Sequence, residues 1–360
     1  MNESKQKPIK GRGALSQPRV RFDAWSREAD GDHRDYALEN EEPAPFKTEI
    51  REDPARSIIS YNESPDISFD RSINPYKGCE HGCIYCYARP SHAYLGLSPG
   101  LDFETKLFYK RDAAELLKKE LSKSAYQPAL IALGANTDPY QPIEKNLGVT
   151  RSILLVLNEF NHPVSIVTKS ALVERDIDIL RTMARRNLVR VFLSIATLDH
   201  DISRHLEPRT SAPARRMEAL RNLSAAGIPT GVIVAPVIPA LTDKDIEAVL
   251  EAAKQNGADS AAYVLVRLPL EVKTLFTDWL EQHFPQRASH VMSLIRQMRG
   301  GKDNDANFGS RMRGEGEFAQ LLQQRFRKAC ARLELNRERM ALDTAQFRVP
   351  QQANAQLSLF

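Results

Sequence analysis

From about Asp66 to Phe284, short β-branched runs alternate with stretches in which apolar residues recur at helical spacing. FETKLFY (103–109), PALIAL (128–133), VSIVTK (164–169), VRVFLSIA (189–196), GVIVAPVI (231–238) and AAYVLVRL (261–268) read as strands. Residues 112–122, 147–160, 172–186, 213–226 and 243–256 read as helices. In 147–160 the apolar face is Leu147, Ile153, Leu154 and Leu157. Strands alternating with helices at this pitch predict an α/β domain over residues 56–285. Its sheet is parallel, with right-handed crossovers, open or closed into a barrel.

The flanks differ. Residues 1–55 show no sustained periodicity, and a stretch such as READGDHRDYALENEEPAP buries too little to order itself. They predict a flexible, disordered arm with Phe22 and Trp25 as docking points. Beyond Phe284 the pattern is helical and basic: helices at 288–299 and 316–335, parted by the turn-rich GGKDNDANFGS, make 286–335 a helical extension. Residues 336–360 read as an extended tail. There is no internal repeat.

Composition narrows the class. The 360 residues are 42% apolar and 27% charged, which fits a globular protein with polar extensions. No apolar run approaches the roughly 18 residues that cross a bilayer, and MNESKQKPIKGRG lacks a signal-peptide core, so a cytoplasmic chain with no membrane contact is expected. Thiols stay reduced there, and a cluster of three of the four cysteines favours metal binding over disulfides. The net charge of +4 is unevenly placed. Lys5, Lys7, Lys10, Arg12, Arg19 and Arg21 face only Glu3, and 175–221 and 296–348 are rich in arginine. Such stretches suit phosphate backbones, or are simply solvated helix faces.

Cys79, Cys83 and Cys86 fall in KGCEHGCIYCYARP with the spacing C-x3-C-x2-C, just after the strand-like SINPY. A structural zinc ion takes four protein ligands, so His81 or His92 would have to complete the set. A [4Fe–4S] cluster takes one thiolate per iron, so three thiolates leave one iron open to a small molecule. Gly78 and Gly82 allow the loop to fold closely around such a group.

This spacing, with Tyr85 just before the third cysteine, resembles the signature of the radical S-adenosylmethionine (SAM) superfamily. NPYKGCEHGCIYCYAR (74–89) and LGANTDPYQPIE (133–144) are similar to the branch that contains spore photoproduct lyase and the DNA-repair photolyase-like proteins. The likeness covers roughly residues 66–285 in strand and helix order. It implies a partial (β/α)6 TIM-type barrel with a [4Fe–4S] cluster on Cys79, Cys83 and Cys86 at its C-terminal mouth. It also implies that SAM chelates the open iron and is cleaved to a 5′-deoxyadenosyl radical. The electron would come from a one-electron reductase such as flavodoxin or ferredoxin.

The resemblance further implies SAM contacts at the C-terminal ends of strands. Tyr85 would lie against the adenine. Asn136, Thr137 and Asp138 stand where many members carry Gly-Gly-Glu. Lys169 and Ser194 end the next two strands, and Glu207 and Arg209 follow in HLEPRT. Helix capping or solvation is the plain alternative for each. Tyr76, Tyr87, Arg89, His92 and Tyr140 suit an unstacked base at the mouth, or packing of the first helix. No catalytic side chain is assigned. Spore photoproduct lyase returns hydrogen from a cysteine near its active site, but this chain has none between Cys86 and Cys330. Cys330, in RFRKACARLEL, reads as a buried structural thiol, so the radical mechanism carries over and the lyase's own reaction does not.

Gln356, Leu357, Ser358, Leu359 and Phe360 resemble the pentapeptide that docks bacterial repair polymerases on the replicative sliding clamp. Two leucines and a phenylalanine suit an apolar pocket and the glutamine a directional bond. With the basic flanks, this points to DNA repair or base modification. The alternatives are RNA, a peptide or a small metabolite as substrate, or a metal-stabilised DNA-binding adaptor without turnover.

Overall fold

The computed structural model describes residues 9–22, 47–337 and 341–350. In chain order its strands are β1 (Glu49–Glu52), β2 (Ile59–Tyr61), β3 (Arg71–Ile73), β4 (Tyr76–Lys77), β5 (Lys106–Tyr109), β6 (Ile131–Leu133), β7 (Val164–Thr168), β8 (Val189–Ser194), β9 (Thr230–Val237) and β10 (Ser260–Leu265). β3, β6, β7, β8, β9 and β10 lie side by side and parallel, with β2 antiparallel on the outer edge of β3. Six parallel strands that do not close on themselves are the expected partial (β/α)6 barrel.

Burial follows the pleat. In β7, Val164, Ile166 and Thr168 are buried while Ser165 and Val167 are half-buried. The crossover helix Val149–Glu159 buries Ile153, Leu154, Val156 and Leu157 on the sheet. Each such leucine contributes about 1.5–3 kcal/mol by leaving water.

Four details differ from the pattern reading. In 103–109 only Lys106–Tyr109 is extended. Asp102–Thr105 is a helical turn, held in part by the Thr105 hydroxyl on the Leu101 carbonyl at 2.8 Å. β5 then joins β1 and β4 in a separate three-stranded sheet. The first barrel strand is β3, three residues long and too short to show a period. Helices His200–Leu206 and Glu271–His283 also escape the pattern; the first begins at Asp199, whose carboxylate caps the amides of Asp201 and Ile202.

The C-terminal helices pack onto the barrel. Gly316–Arg332 lies against Ile246–Gln255 and buries Leu322, Phe326 and Cys330. The exposed edge of β10 is covered: the Leu265 amide bonds the Met312 carbonyl at 3.0 Å, and the Asn336 carboxamide meets both main-chain groups of Ala261 at 2.9 Å. Residues 341–350 cross the N-terminal ends of the strands, where the Phe347 ring lies 5.6 Å from those of Tyr126 and His162.

The expected arm needs correction over residues 9–22, which lie docked on the domain. Main-chain hydrogen bonds from Gly13 and Ala14 to the buried Glu104 carboxylate hold them, and composition does not register such bonds. Phe22 stacks on Tyr94 at 5.2 Å. Trp25 and the peptide 356–360 lie outside the described residues. Among the described residues no helix is long and apolar enough to cross a membrane.

Candidate cluster and cofactor site

The cysteine loop leaves β4 through Gly78 at φ 79° and turns again at Gly82 at φ 68°. Both are left-handed, and a Cβ on Gly78 would stand 2.6 Å from Leu107 Cδ2 and 2.9 Å from the Phe103 carbonyl oxygen. Glycine is required there twice over. The Cys79 amide donates to Phe103 O (2.9 Å) and the Ile84 amide to Leu206 O (3.2 Å). Gln141 accepts from the Glu80 amide at 2.9 Å and donates to Gly78 O at 3.2 Å. Behind the loop, fully buried Arg89 donates to the carbonyls of Cys83 (3.0 Å), Gly82 (3.2 Å), Pro99 (3.1 Å) and Gly100 (2.9 Å) and pairs with fully buried Glu104. The loop's shape is thus fixed through its own backbone carbonyls.

Cys79 and Cys83 are buried and Cys86 half-buried. Burial pushes the Cys79 thiol well up, with Asp138, Cys83 and Cys86 adding to it. Burial and Glu207 do the same to Cys83, against the pull of Lys169. Thiols that disfavour one another's ionisation are placed to share a cationic partner, and soft sulfur donors select iron–sulfur clusters or zinc. One ring nitrogen of each nearby histidine faces an oxygen rather than a thiol. His92 Nε2 is 2.9 Å from Lys106 O with its ring edge-on to Phe103, and His81 Nδ1 faces Asp138 Oδ2 at 3.4 Å. Among the described residues no three His, Cys, Asp or Glu side chains, the three cysteines included, converge on one ion position. Three thiols on one loop that do not close on a single ion fit a cluster taking one thiolate per iron with one iron left open.

Four of the sequence-predicted contacts come together beside the loop. The Tyr85 hydroxyl donates to Glu207, and Lys169 Nζ lies 5.9 Å from the Tyr85 ring centre. Asp138 accepts from the Lys169 amide (2.8 Å), the Thr168 hydroxyl (2.7 Å) and the Tyr140 amide (2.9 Å). Burial alone would raise the Asp138 carboxyl, but His81 and these donors outweigh it and hold it down at about 2. Burial likewise opposes the charge on Lys169, yet Cys83, Glu207 and Asp138 raise it above the ordinary lysine value. The ammonium is therefore secure and faces the cysteine side.

The other four are differently employed. Thr137 donates to Tyr76 O at 2.8 Å and Ser194 to Ala235 O at 3.2 Å, so both hydroxyls bond backbone. Asn136 places its amide on Asn74 Oδ1 at 3.1 Å. Arg209 stands 3.3 Å from Glu80, its amide on His81 O at 3.2 Å. Sequence reasoning missed Arg216, Glu104 and Gln141. Fully buried Arg216 pairs with Glu207 and donates to Ser194 O at 2.7 Å. Nothing in PARRMEAL distinguishes it from exposed Arg215.

Of the five residues read as a mouth cluster, Tyr76, Arg89, His92 and Tyr140 are buried, with Tyr76 bonded to Glu144 and Tyr140 to Asp176. Tyr87 is 46% exposed. Arg267, just beyond β10, stacks on it at 5.3 Å. Arg267 Nε is buried with no hydrogen-bond partner among the described residues. Asp66, the acid that acts on it, is bonded to Arg311 at 2.6 Å.

A partial parallel barrel with a three-thiol loop at its C-terminal mouth defines an enzyme of the radical SAM class. The sequence pattern described as Radical SAM superfamily matches residues 73–253, and the chain belongs to that superfamily. An uncharacterized protein of Mycobacterium tuberculosis is 34% identical over 232 residues, covering 64% of this chain and 68% of its own length. One from Methanocaldococcus jannaschii is 28% identical over 240 residues, 67% of this chain and 85% of its own. Among solved structures, a spore photoproduct lyase variant with bound AdoMet and dinucleoside spore photoproduct shares the fold. Its TM-score is 0.55 at 19% identity, over 79% of this chain and 78% of its own. As in that superfamily, the cofactors are a [4Fe–4S] cluster and SAM.

Proposed function

We propose that Cys79, Cys83 and Cys86 hold the cluster, that SAM lies against Tyr85 and Lys169, and that the enzyme acts on DNA in repair or base modification. The bound cofactors supply a 5′-deoxyadenosyl radical, driven by an external one-electron reductant such as flavodoxin or ferredoxin. Lys169 offers the SAM carboxylate a permanent cation. Glu207 and Arg216 hold Tyr85, and Asp138 positions Lys169 through its amide. Asn136, Thr137, Ser194 and Arg209 support this site from around it, through bonds to Asn74, Tyr76 O, Ala235 O and Glu80.

The nucleic-acid reading rests on Arg267 and Tyr87. A half-buried guanidinium stacked on an exposed aromatic ring one residue from Cys86 suits a phosphate beside an unstacked base. The likeness in fold to an enzyme solved with a dinucleoside lesion points the same way. Reduced, cluster-loaded enzyme is assayed for 5′-deoxyadenosine with duplex, single-stranded and ultraviolet-treated DNA. DNA is expected to stimulate cleavage, with binding that weakens steeply with salt. Cleavage indifferent to all three, with no salt-dependent binding, overturns the DNA assignment and favours RNA, a peptide or a metabolite.

For the peptide Gln356–Phe360 we propose docking on the sliding clamp. Residues 341–350 are anchored at the N-terminal ends of the strands, opposite the cysteine mouth, so a partner held by the chain beyond residue 350 leaves the mouth open.

A further inference from the structure

The segment 9–22 meets the domain at one place above all, the rear of the cysteine loop. Glu104, with no part of its side chain exposed, accepts the Gly13 amide on one oxygen at 3.0 Å and the Ala14 amide on the other at 2.9 Å. The oxygen bonded to Ala14 also takes Arg89, whose other donors hold the carbonyls of Gly82 and Cys83. Two amides and a guanidinium thus saturate one buried carboxylate, and the chain of bonds from Gly13 to Cys83 is continuous through it. A Cβ on Gly13 would overlap the carbonyl oxygen of Gly82, so the strap touches the loop directly.

Further bonds spread the attachment. Arg12 donates to Glu104 O at 2.9 Å and to Thr48 Oγ1 at 3.2 Å, and Thr48 donates in turn to Glu80, between Cys79 and His81. Gln17 Oε1 accepts the Leu101 amide at 2.8 Å, and Ser98 donates to Pro18 O at 2.7 Å. Ala14 is wholly buried with Cys83, Ile84 and Tyr85. Most of these bonds end on residues 79–104, and Arg21 adds an ion pair to Glu271 at 2.8 Å.

We propose that residues 12–18 are a positioning strap for the cluster: they close the rear of the cysteine loop through Glu104 and Arg89 and hold its thiolates in place. A loop freed from behind opens more often, because an unmet buried carboxylate favours local opening. Each opening exposes iron to solvent. The inference rests on Cys79, Cys83 and Cys86 holding the cluster.

The test uses full-length chain with Gly13→Ala and, as a milder lesion distant from the loop, Gln17→Ala. After oxygen-free reconstitution, iron release to a chelator is timed, the spin-resonance spectrum of the reduced cluster is recorded with and without SAM, and trypsin cleavage at Lys10, Arg12 and Arg19 reports undocking. Gly13→Ala is expected to release iron at least tenfold faster and to broaden the SAM-dependent spectrum, and Gln17→Ala to do so by a few-fold, with unchanged far-ultraviolet dichroism. Wild-type release rates and spectra in chains whose strap is cleaved rapidly overturn the proposal. If wild type also binds no iron, the cysteine assignment fails instead, so the two failures are distinct.

Discussion

Arg216 and Glu207 form an ion pair with 1% of either side chain exposed, and Glu207 in turn accepts the hydroxyl of Tyr85. Arg216 also donates to Ser211 O and Ser194 O, each at 2.7 Å, so the pair ties the end of β8 to the cysteine loop. Removing one partner of a buried pair leaves an uncompensated charge, which costs about 3–5 kcal/mol. Arg216→Met should lose that much in denaturant unfolding of the cluster-free chain. Arg216→Met with Glu207→Leu should recover a good part of it. If the double variant is no better than the single, the pair is not the source of the loss.

Among the cysteines the loads are unequal. Cys83→Ala should abolish the brown absorbance and most of the bound iron after reconstitution. Cys330→Ala should leave both intact: burial in the core raises that thiol to about 11, and it lies in the helix packed on Ile246–Gln255. Iron content per chain decides between them.

At the mouth, Arg267 and Tyr87 separate charge from stacking. Arg267→Ala should weaken DNA binding across sequences and lower the slope of log affinity against log salt by about 1, as loss of one phosphate contact does. Tyr87→Ala should cost about 1–3 kcal/mol with little change in slope. Equal slopes for Arg267→Ala and wild type would remove the phosphate contact.

The barrel was legible because its strands carry β-branched runs with no exposed residue and its helices are apolar on one face, so the alternation of the two periods carries the topology. The cysteine loop was legible because its three cysteines are close together in sequence. β3 was too short to show a period, and β5 has the composition of a core strand although it pairs outside the barrel. Glu104 and Arg216 could not be picked out among 50 Lys and Arg and 46 Asp and Glu, and Arg89 was singled out without its buried partner, because only tertiary contact tells a buried charge from a solvated one. Of the expected SAM contacts, strand-end position selected Lys169 and Asp138, which stand together beside the cysteine loop, and equally Thr137 and Ser194, whose hydroxyls bond backbone. The strap was invisible because its amides, not its side chains, make the key contacts.

Removing residues 356–360 should leave SAM cleavage unchanged and reduce binding to immobilised sliding clamp at least tenfold. Persistence of clamp affinity in the truncated chain, measured side by side with full-length protein, rules out the peptide as the docking element.

The far end of the barrel should respond to pH through His162. Its ring is wholly buried, with the Tyr126 hydroxyl 2.7 Å from Nε2 and Pro163 O 3.0 Å from Nδ1. That geometry suits the neutral ring, in which Nδ1–H donates and Nε2 accepts. Burial lowers the imidazole from 6.5 to about 4, the Pro163 bond opposing it and the nearby Arg71 cation adding to it. Between these values the unfolded chain binds the extra proton and the folded chain does not. Stability is therefore complete above about pH 6.5 and falls as pH drops toward 4, with a loss of about 2 kcal/mol at pH 5 relative to pH 7. Because the ring packs edge-on to Phe347 at 5.6 Å, the same protonation loosens residues 341–350. His162→Phe should flatten this part of the stability profile, and proteolysis near Arg348 should quicken at pH 5 in wild type alone. A wild-type profile flat from pH 7 to 5 would show that the ring keeps its proton as readily folded as unfolded.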